Sequence, residues 1–243
     1  MIYVMSDIHG NSRRFNSIMM QINLQPEDTL YILGDVIDRH PDGIKLLRKI
    51  MRMKNAKMLI GNHEHMMLAV TVPHYDDSRD SEERRLRIWY NNGGRITHDY
   101  LKHIRKSIRT EIFDYLQALP LEYDIELNGK HYKMVHAAPS DQFKAYWRDF
   151  GSPLLFTVWK RWYKGEFPAT DYTMIFGHTP TEYYQYDNPL RIYYRDNVIG
   201  IDCGSGYPDK LNPWSDSKGR LACLRLDDMR EFYSEEQYGT CTR

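Results

Sequence analysis

The first seventy residues alternate between short apolar runs and stretches with apolar side chains at helical spacing. Ile2 to Met5 is an apolar run that predicts a strand. Phe15, Ile18, Met19 and Ile22 then recur on one helical face, with Asn11 placed to cap it. Thr29 to Leu33 predicts a second buried strand, and Ile44, Leu47 and Ile50 or Met51 share a face of the next helix. "AKMLIGN" predicts a third strand and "EHMMLAV" another helix. This order argues for an α/β fold with a parallel sheet.

The middle of the chain changes character. "YDDSRDSEERR" is charged and reads as a solvated loop or helix face, and "IWYNNGG" follows it. "RTEIFDYLQALP" is helical and ends near Pro120. The apolar period then switches to two: Leu121, Tyr123, Ile125 and Leu127 alternate up to Asn128-Gly129, a strong hairpin signal. "TMIFGH", "RIYYRD", "VIGIDCG" and "RLACLRL" predict more strands. "TEYYQYDNPLRIYYRDN" carries five tyrosines and is expected as an amphipathic hairpin, with a stacking platform for a nucleoside base as the sharper alternative. Without repeats or linkers, residues 1–243 read as one α/β domain with mixed or two-layer sheets.

Composition narrows the function classes. Lys+Arg and Asp+Glu are both 33, so nothing global draws the chain to nucleic acid or an anionic membrane. No apolar run approaches a membrane span, and no basic segment precedes an apolar one at the start, so a leader is not expected. The three cysteines, Cys203, Cys223 and Cys241, are too few and too widely spaced for a disulfide framework or a zinc knuckle. A cytoplasmic protein with cysteines in its core is the expectation. Oligomeric state is not legible.

The candidate chemistry lies where the strands end. The first gives Asp7 and His9, the second Asp35, Asp38 and Arg39, the third Asn62, His63 and Glu64. The second strand of the hairpin runs into His136, and a later strand into His178. In an open α/β sheet the C-terminal strand ends form the ligand crevice, which would gather all five clusters. Asp7, His9, Asp35, Asn62, His136 and His178 supply six N/O donors and no thiolate. That set suits two manganese, iron, zinc or similar ions sharing a bridging carboxylate. Residues two apart on a strand project to one side, which would align Asp7 with His9.

D-x-H, G-D-x-x-D-R, G-N-H-E, an isolated H-A and G-H, in this order, resemble the signature of the calcineurin-like metallophosphoesterases. The chain looks most like their phosphoprotein phosphatase branch, within it the bacteriophage-lambda and bacterial enzymes. "IWYNNGG", "VWKR", "IFGHTPT" and "IDCG…GRLACLRLD" also keep the family's order. The resemblance implies a two-layer mixed β-sandwich flanked by helices. It implies one metal on Asp7 and His9, a second on Asn62, His136 and His178, and Asp35 between them. Manganese is expected first, with iron, zinc, nickel, cobalt or magnesium as alternatives. A hydroxide bridging the metals would attack phosphorus in line. His63 would protonate the leaving oxygen, Asp38 would orient it, and Arg39, Arg161 and Asn62 would hold the phosphate.

The implied activity is that of a phosphomonoesterase on Ser/Thr phosphoproteins, with phosphotyrosine as a further expectation. Hydrolysis of dinucleoside polyphosphates such as diadenosine tetraphosphate is the enzymatic alternative, and a non-catalytic scaffold is the third. The expected partner is a phosphorylated protein or a small phosphoester, with neither stable nucleic-acid binding nor a membrane. Glu64 is expected at the helix start or behind the ligands. His40, His65, His74, His98, His103 and His131 are expected to be structural or on the surface. His40 stands where the family usually has glycine, and Ala137-Ala138 replaces its common H-A-G. Asp202 is expected to be structural, near the site.

Overall fold

The computed structural model describes residues 1–75, 80–208 and 219–234. Cys241 and part of the charged run, 76–79, lie outside the described residues. The chain opens with β1 (Ile2–Met5) and α1 (Ser12–Ile22). Asn11 caps α1, its side-chain oxygen accepting from the Arg14 backbone N–H. Phe15, Ile18 and Ile22 are buried as the spacing predicts, but Met19 is only half-buried. Arg14 is buried too, because its guanidinium donates to the Ser205 carbonyl at 2.6 Å. Next come β2 (Thr29–Ile32), α2 (Gly43–Ile50), β3 (Ala56–Met58) and α3 (Asn62–Thr71). The charged and aromatic middle forms α4 (Glu82–Asn91), α5 (Arg95–Lys102) and α6 (Lys106–Gln117).

The Asn-Gly signal holds. β4 (Glu122–Leu127) and β5 (Lys130–Val135) pair antiparallel, with Leu127 opposite Lys130. Asn128 and Gly129 take φ of 52° and 73°, as a tight hairpin turn demands. Then follow α7 (Phe143–Phe150), α8 (Pro153–Trp159), β6 (Thr173–Phe176), β7 (Tyr193–Arg195), β8 (Val198–Gly200), β9 (Ala222–Arg225) and β10 (Arg230–Tyr233).

Two mixed five-stranded sheets result, ordered β10-β9-β1-β2-β3 and β4-β5-β6-β8-β7. Period-two alternation explains how they stack. Val4, Tyr31 and Leu33 of the first sheet face Tyr132, Met134, Ile175 and Ile199 of the second in one apolar layer. Tyr3, Met5, Leu30 and Ile32 point the other way, into a core with Phe15 and Ile18 of α1 and Leu47 of α2. Val135, Met174 and Phe176 face outward from the second sheet onto Phe156 of α8. The order is therefore helices, sheet, sheet, helices. Each inner strand is buried on both faces, which is why β1 and β2 read as unbroken apolar runs.

One expected element is only partly present. The tyrosine-rich run does not pair with itself: Thr181–Tyr183 form a 3-10 turn after Pro180, and only its end, Tyr193–Arg195, is a strand, antiparallel to Val198–Gly200 just beyond the run. Tyr184 and Tyr193 stack with ring centres 5.1 Å apart inside the outer core. Burying these two rings holds the run against the sheet rather than letting it pair with itself.

Candidate active site

The C-terminal ends of β1, β2, β5 and β6, together with the start of α3, converge at one end of the sandwich. The loops after β1 and β2 keep hydrogen-bonding beyond the strands, with Asp7 N–H to Gly34 O at 3.2 Å and His9 N–H to Asp35 O at 2.9 Å. Asp7 and His9 are not strand residues, as the two-apart argument assumed. Both take left-handed backbone conformations, φ 54° and 50°, and that repeated geometry points them together. Asp35, Asp38, Arg39 and His178 are also left-handed, so the site holds half of the twelve such non-glycine residues described. Conformations this unfavourable for side-chain-bearing residues gather where function fixes the backbone.

Asp35 is the hinge of the arrangement. Its Oδ2 lies 3.7 Å from His9 Nε2, and its Oδ1 lies 3.6 Å from His136 Nε2. Candidate ligand atoms of Asp35, His136 and His178 lie within 4.8 Å of one another, as do those of His9, Asp35 and His63. Asp7 Oδ1 lies beside the group that holds His9, 3.9 Å from His9 Nε2. Asp7 Oδ2 is committed elsewhere, accepting from Ser6 Oγ at 2.5 Å and the His178 N–H at 2.9 Å. Gly177 precedes His178 because a Cβ there would run into Ser6 Oγ and that carboxylate.

The donor set fits a pair of cations. His9 Nδ1 lies 3.1 Å from the Ile37 carbonyl and His136 Nδ1 lies 2.7 Å from the Leu33 carbonyl. Donation there leaves each Nε2 as a lone pair facing inward, the usual orientation of a metal-binding histidine. His136 Nε2 then meets Asn62 Oδ1 at 3.0 Å, and His178 Nδ1 meets the same oxygen at 3.0 Å. Two acceptors confronting each other at this distance is an arrangement that a cation relieves. Burial, with the Arg39 and His63 charges, holds His9 well below its ordinary pKa. Burial does the same for His178, with the Arg161 charge adding to it. Both are neutral, as ligands must be. Burial and the Asp35 charge push the Asp7 carboxyl up to about 6, the mark of carboxylates crowded together without countercharge.

His63 plays a different part. It lies in the first turn of α3, and its backbone N–H donates to Asp35 Oδ1 at 3.0 Å. Its Nδ1 lies 2.7 Å from Asp38 Oδ2, and its Nε2 lies 3.3 Å from Arg39 Nη2. The Arg39 guanidinium can only donate, so Nε2 meets it as an acceptor in this arrangement, and the ring is near enough to His9 and Asp35 to join their group. Burial pulls the His63 pKa down, but Asp35 and the Asp38 hydrogen bond outweigh it, and the net direction is up. That is the direction a proton donor needs.

Arg161 is exposed and has no hydrogen bond or ion pair to another described residue. Its neighbours fix its base: Lys160 Nζ lies 4.5 Å from the Tyr146 ring centre, and Trp162 Nε1 donates to the Ala137 carbonyl at 3.0 Å. Its charge is close enough to His178 to disfavour protonation there. Arg39 and His40 line a cleft of about 740 Å³ with Asn91, Asn92, Gly93, Gly206 and Pro208. Both alanines after His136 are buried, and Ala138 packs in the outer core. Asp202 is buried close to Asp7, with Oδ1 accepting from the Gly204 N–H at 2.9 Å. His65 is buried beside the Tyr75 ring, His98 meets Tyr90 Oη, and His131 meets Asp124.

Glu64 stands both at the helix start and behind the candidate ligands, as expected. Its carboxylate accepts from the N–H groups of Asp35, Val36 and Gly61 at 2.9–3.1 Å, clamping the loop that carries Asp35 to the start of α3. Ser6, by contrast, escaped notice. Its one signal is its place immediately before Asp7, because a hydroxyl beside a buried carboxylate is a ready donor.

The chain belongs to the calcineurin-like phosphoesterase family, whose model matches residues 1–203. Members of this family are metal-dependent hydrolases, and the two mixed sheets flanked by helices are the family's fold. The chain is similar to the symmetrical bis(5'-nucleosyl)-tetraphosphatase of Photorhabdus laumondii subsp. laumondii, 37% identical over 70 residues, or 28% of this chain and 26% of that one. It is also similar to the enzyme of the same name from an Acidovorax species, 29% identical over 146 residues, or 59% of this chain and 46% of that one. The matches thus span a quarter to just under half the length of these curated relatives. A solved structure named as a candidate diadenosine tetraphosphatase superposes with a TM-score of 0.58 and 18% identity, over 96% of this chain and 91% of that one. Among the described residues no helix is long and apolar enough to cross a membrane.

Proposed function

We propose that residues 1–243 act as one catalytic unit that hydrolyses dinucleoside polyphosphates with two divalent ions, manganese being the first to test. This takes the nucleotide alternative of the sequence reading ahead of the phosphoprotein one. The names of the curated relatives support it. The structural observation that supports it is a set of exposed rings on the segments that follow Arg161 and His178 in the chain. Tyr163, two residues past Arg161, is 70% exposed, and Tyr183 and Tyr186, shortly after His178, are 63% and 83% exposed. Lys164 Nζ lies 5.5 Å from the Tyr186 ring centre, which joins the two segments. Exposed rings of this kind give a nucleobase a face to stack on.

Asp7, His9 and Asp35 would hold one ion, and Asp35, Asn62, His136 and His178 the other. When bound, such a pair supplies countercharge for phosphate oxygens and a water active near neutral pH. Arg39 and Arg161 bind and orient the phosphate by forked hydrogen bonds. Asp38 fixes the His63 ring through Nδ1, which leaves Nε2 facing the site. As the new P–O bond forms from water and the old one breaks, the leaving oxygen takes its proton from His63 Nε2.

One observation keeps the phosphoprotein reading as the second: Arg39, exposed at the edge of the 740 Å³ cleft, could meet a phosphate presented on a protein surface. A manganese-reconstituted substrate panel separates the two. kcat/KM is expected to be highest on diadenosine tetraphosphate. Higher values on phosphoserine or phosphotyrosine peptides would reverse the order.

A further inference from the structure

The carboxylate that orients His63 is itself oriented by a residue 51 positions away. Trp89 Nε1 donates to Asp38 Oδ2 at 2.8 Å, the same oxygen that His63 Nδ1 meets at 2.7 Å. His63, Asp38 and Trp89 are 1%, 0% and 0% exposed, so water cannot stand in for the indole. We propose that Trp89 is a positioning residue for proton transfer, acting through Asp38 on His63. The inference rests on the reading of His63 as the general acid.

The chemistry suits the task. An indole N–H donates only and does not titrate, so it can neither take the proton of His63 nor protonate Asp38. A hydrogen bond to an ionised carboxylate is stronger than one between neutral groups, and it favours the charged form. Two donors converging on one oxygen fix the carboxylate plane, and with it the direction of His63 Nε2.

The ring is held from several sides. Gly94 packs against the indole so closely that a Cβ there would collide with it. His98 stacks on it with ring centres 5.3 Å apart and planes at 29°, and is pinned by Tyr90 Oη at 2.7 Å. The same turn grips the Asp38 loop twice more. The Asp38 N–H donates to Thr97 Oγ1 at 3.1 Å, and the Arg39 N–H donates to Gly93 O at 3.2 Å. The segment from α4 to α5 thus works as a clamp on Asp38 and Arg39.

The test compares Trp89→Phe, which keeps a ring and loses the donor, with His63→Asn. Each is assayed with manganese on an alkyl phosphate and on p-nitrophenyl phosphate, whose leaving group needs little protonation. Trp89→Phe is expected to lose about ten-fold more kcat on the alkyl than on the aryl ester, part of the roughly 10²–10⁴ that a general acid supplies. KM should change little. Equal loss on both esters by Trp89→Phe, while His63→Asn discriminates between them, would overturn the proposal. If His63→Asn itself fails to discriminate, the acid reading falls and the Trp89 role with it. A second measurement needs neither metal nor turnover. The indole proton of Trp89, assigned by its loss in Trp89→Phe or, should that variant not fold, Trp89→Tyr, is expected downfield and slow to exchange, and shifted by Asp38→Asn. A rapidly exchanging proton, or one unmoved by Asp38→Asn, would overturn the proposal.

Discussion

The two sheets contribute unequally to the site. Loops at the end of the first sheet bring Asp7, His9, Asp35 and Asp38, and the start of α3 adds Asn62 and His63. The second sheet brings two imidazoles, His136 and His178. One side supplies the carboxylates and the proposed proton donor; the other supplies only ring nitrogens. Asp35 faces both, with Oδ2 toward His9 and Oδ1 toward His136. The His178 N–H reaches back to Asp7 Oδ2. Neither sheet alone holds a complete donor set, so packing the Val4, Leu33, Met134 and Ile175 layer between them is also what assembles the site.

Asp35→Asn should break this division most severely. It weakens the one carboxylate that faces both sides, and turnover should fall by about 10³-fold or more, some 4 kcal/mol of barrier. Steady-state assays with saturating manganese check this. His63→Asn removes only the proton donor of the first sheet. Activity on substrates with poor leaving groups should fall about 10²-fold or more while both ions stay bound, as elemental analysis after desalting would show. Tyr183→Ala probes the exposed rings outside both ligand groups. On the proposed reading it costs roughly ten-fold in kcat/KM on diadenosine tetraphosphate, within the ~1–3 kcal/mol of base stacking, and little on a phosphopeptide. Glu64→Gln should have the smallest effect on chemistry. It leaves one acceptor where two oxygens now serve several N–H groups, at a cost of about 1–3 kcal/mol in stability. Thermal unfolding would show this as a fall of about 2–4 °C per kcal/mol.

The same contrast governs what the sequence disclosed. The candidate site residues of the first sheet come in clusters, D-x-H, G-D-x-x-D-R and G-N-H-E, each after an apolar run, so pattern alone could suggest them. His136 and His178 come singly, and only the order of the whole motif set pointed to them. Period-two alternation and Asn-Gly revealed the β4–β5 hairpin. α5, α7, α8 and β10 went unread: α5, α7 and α8 are seven or eight residues long, too short to establish a helical period, and in β10 only Phe232 is buried in the core. The tyrosine-rich run misled in its first half, where Tyr184 is held by stacking on Tyr193 in the core and not by a strand pair. The left-handed φ of Asp7 and His9 and the reach of Trp89 to Asp38 are tertiary facts with no local signature.

The central claim is that the two sheets together build a dinuclear centre around Asp35. It is tested most directly by adding manganese to metal-free protein and following its paramagnetic resonance. The account predicts two ions per chain and, at the second equivalent, the signal of a spin-coupled pair. A single ion at saturation, or two ions with no coupling between them, would contradict it.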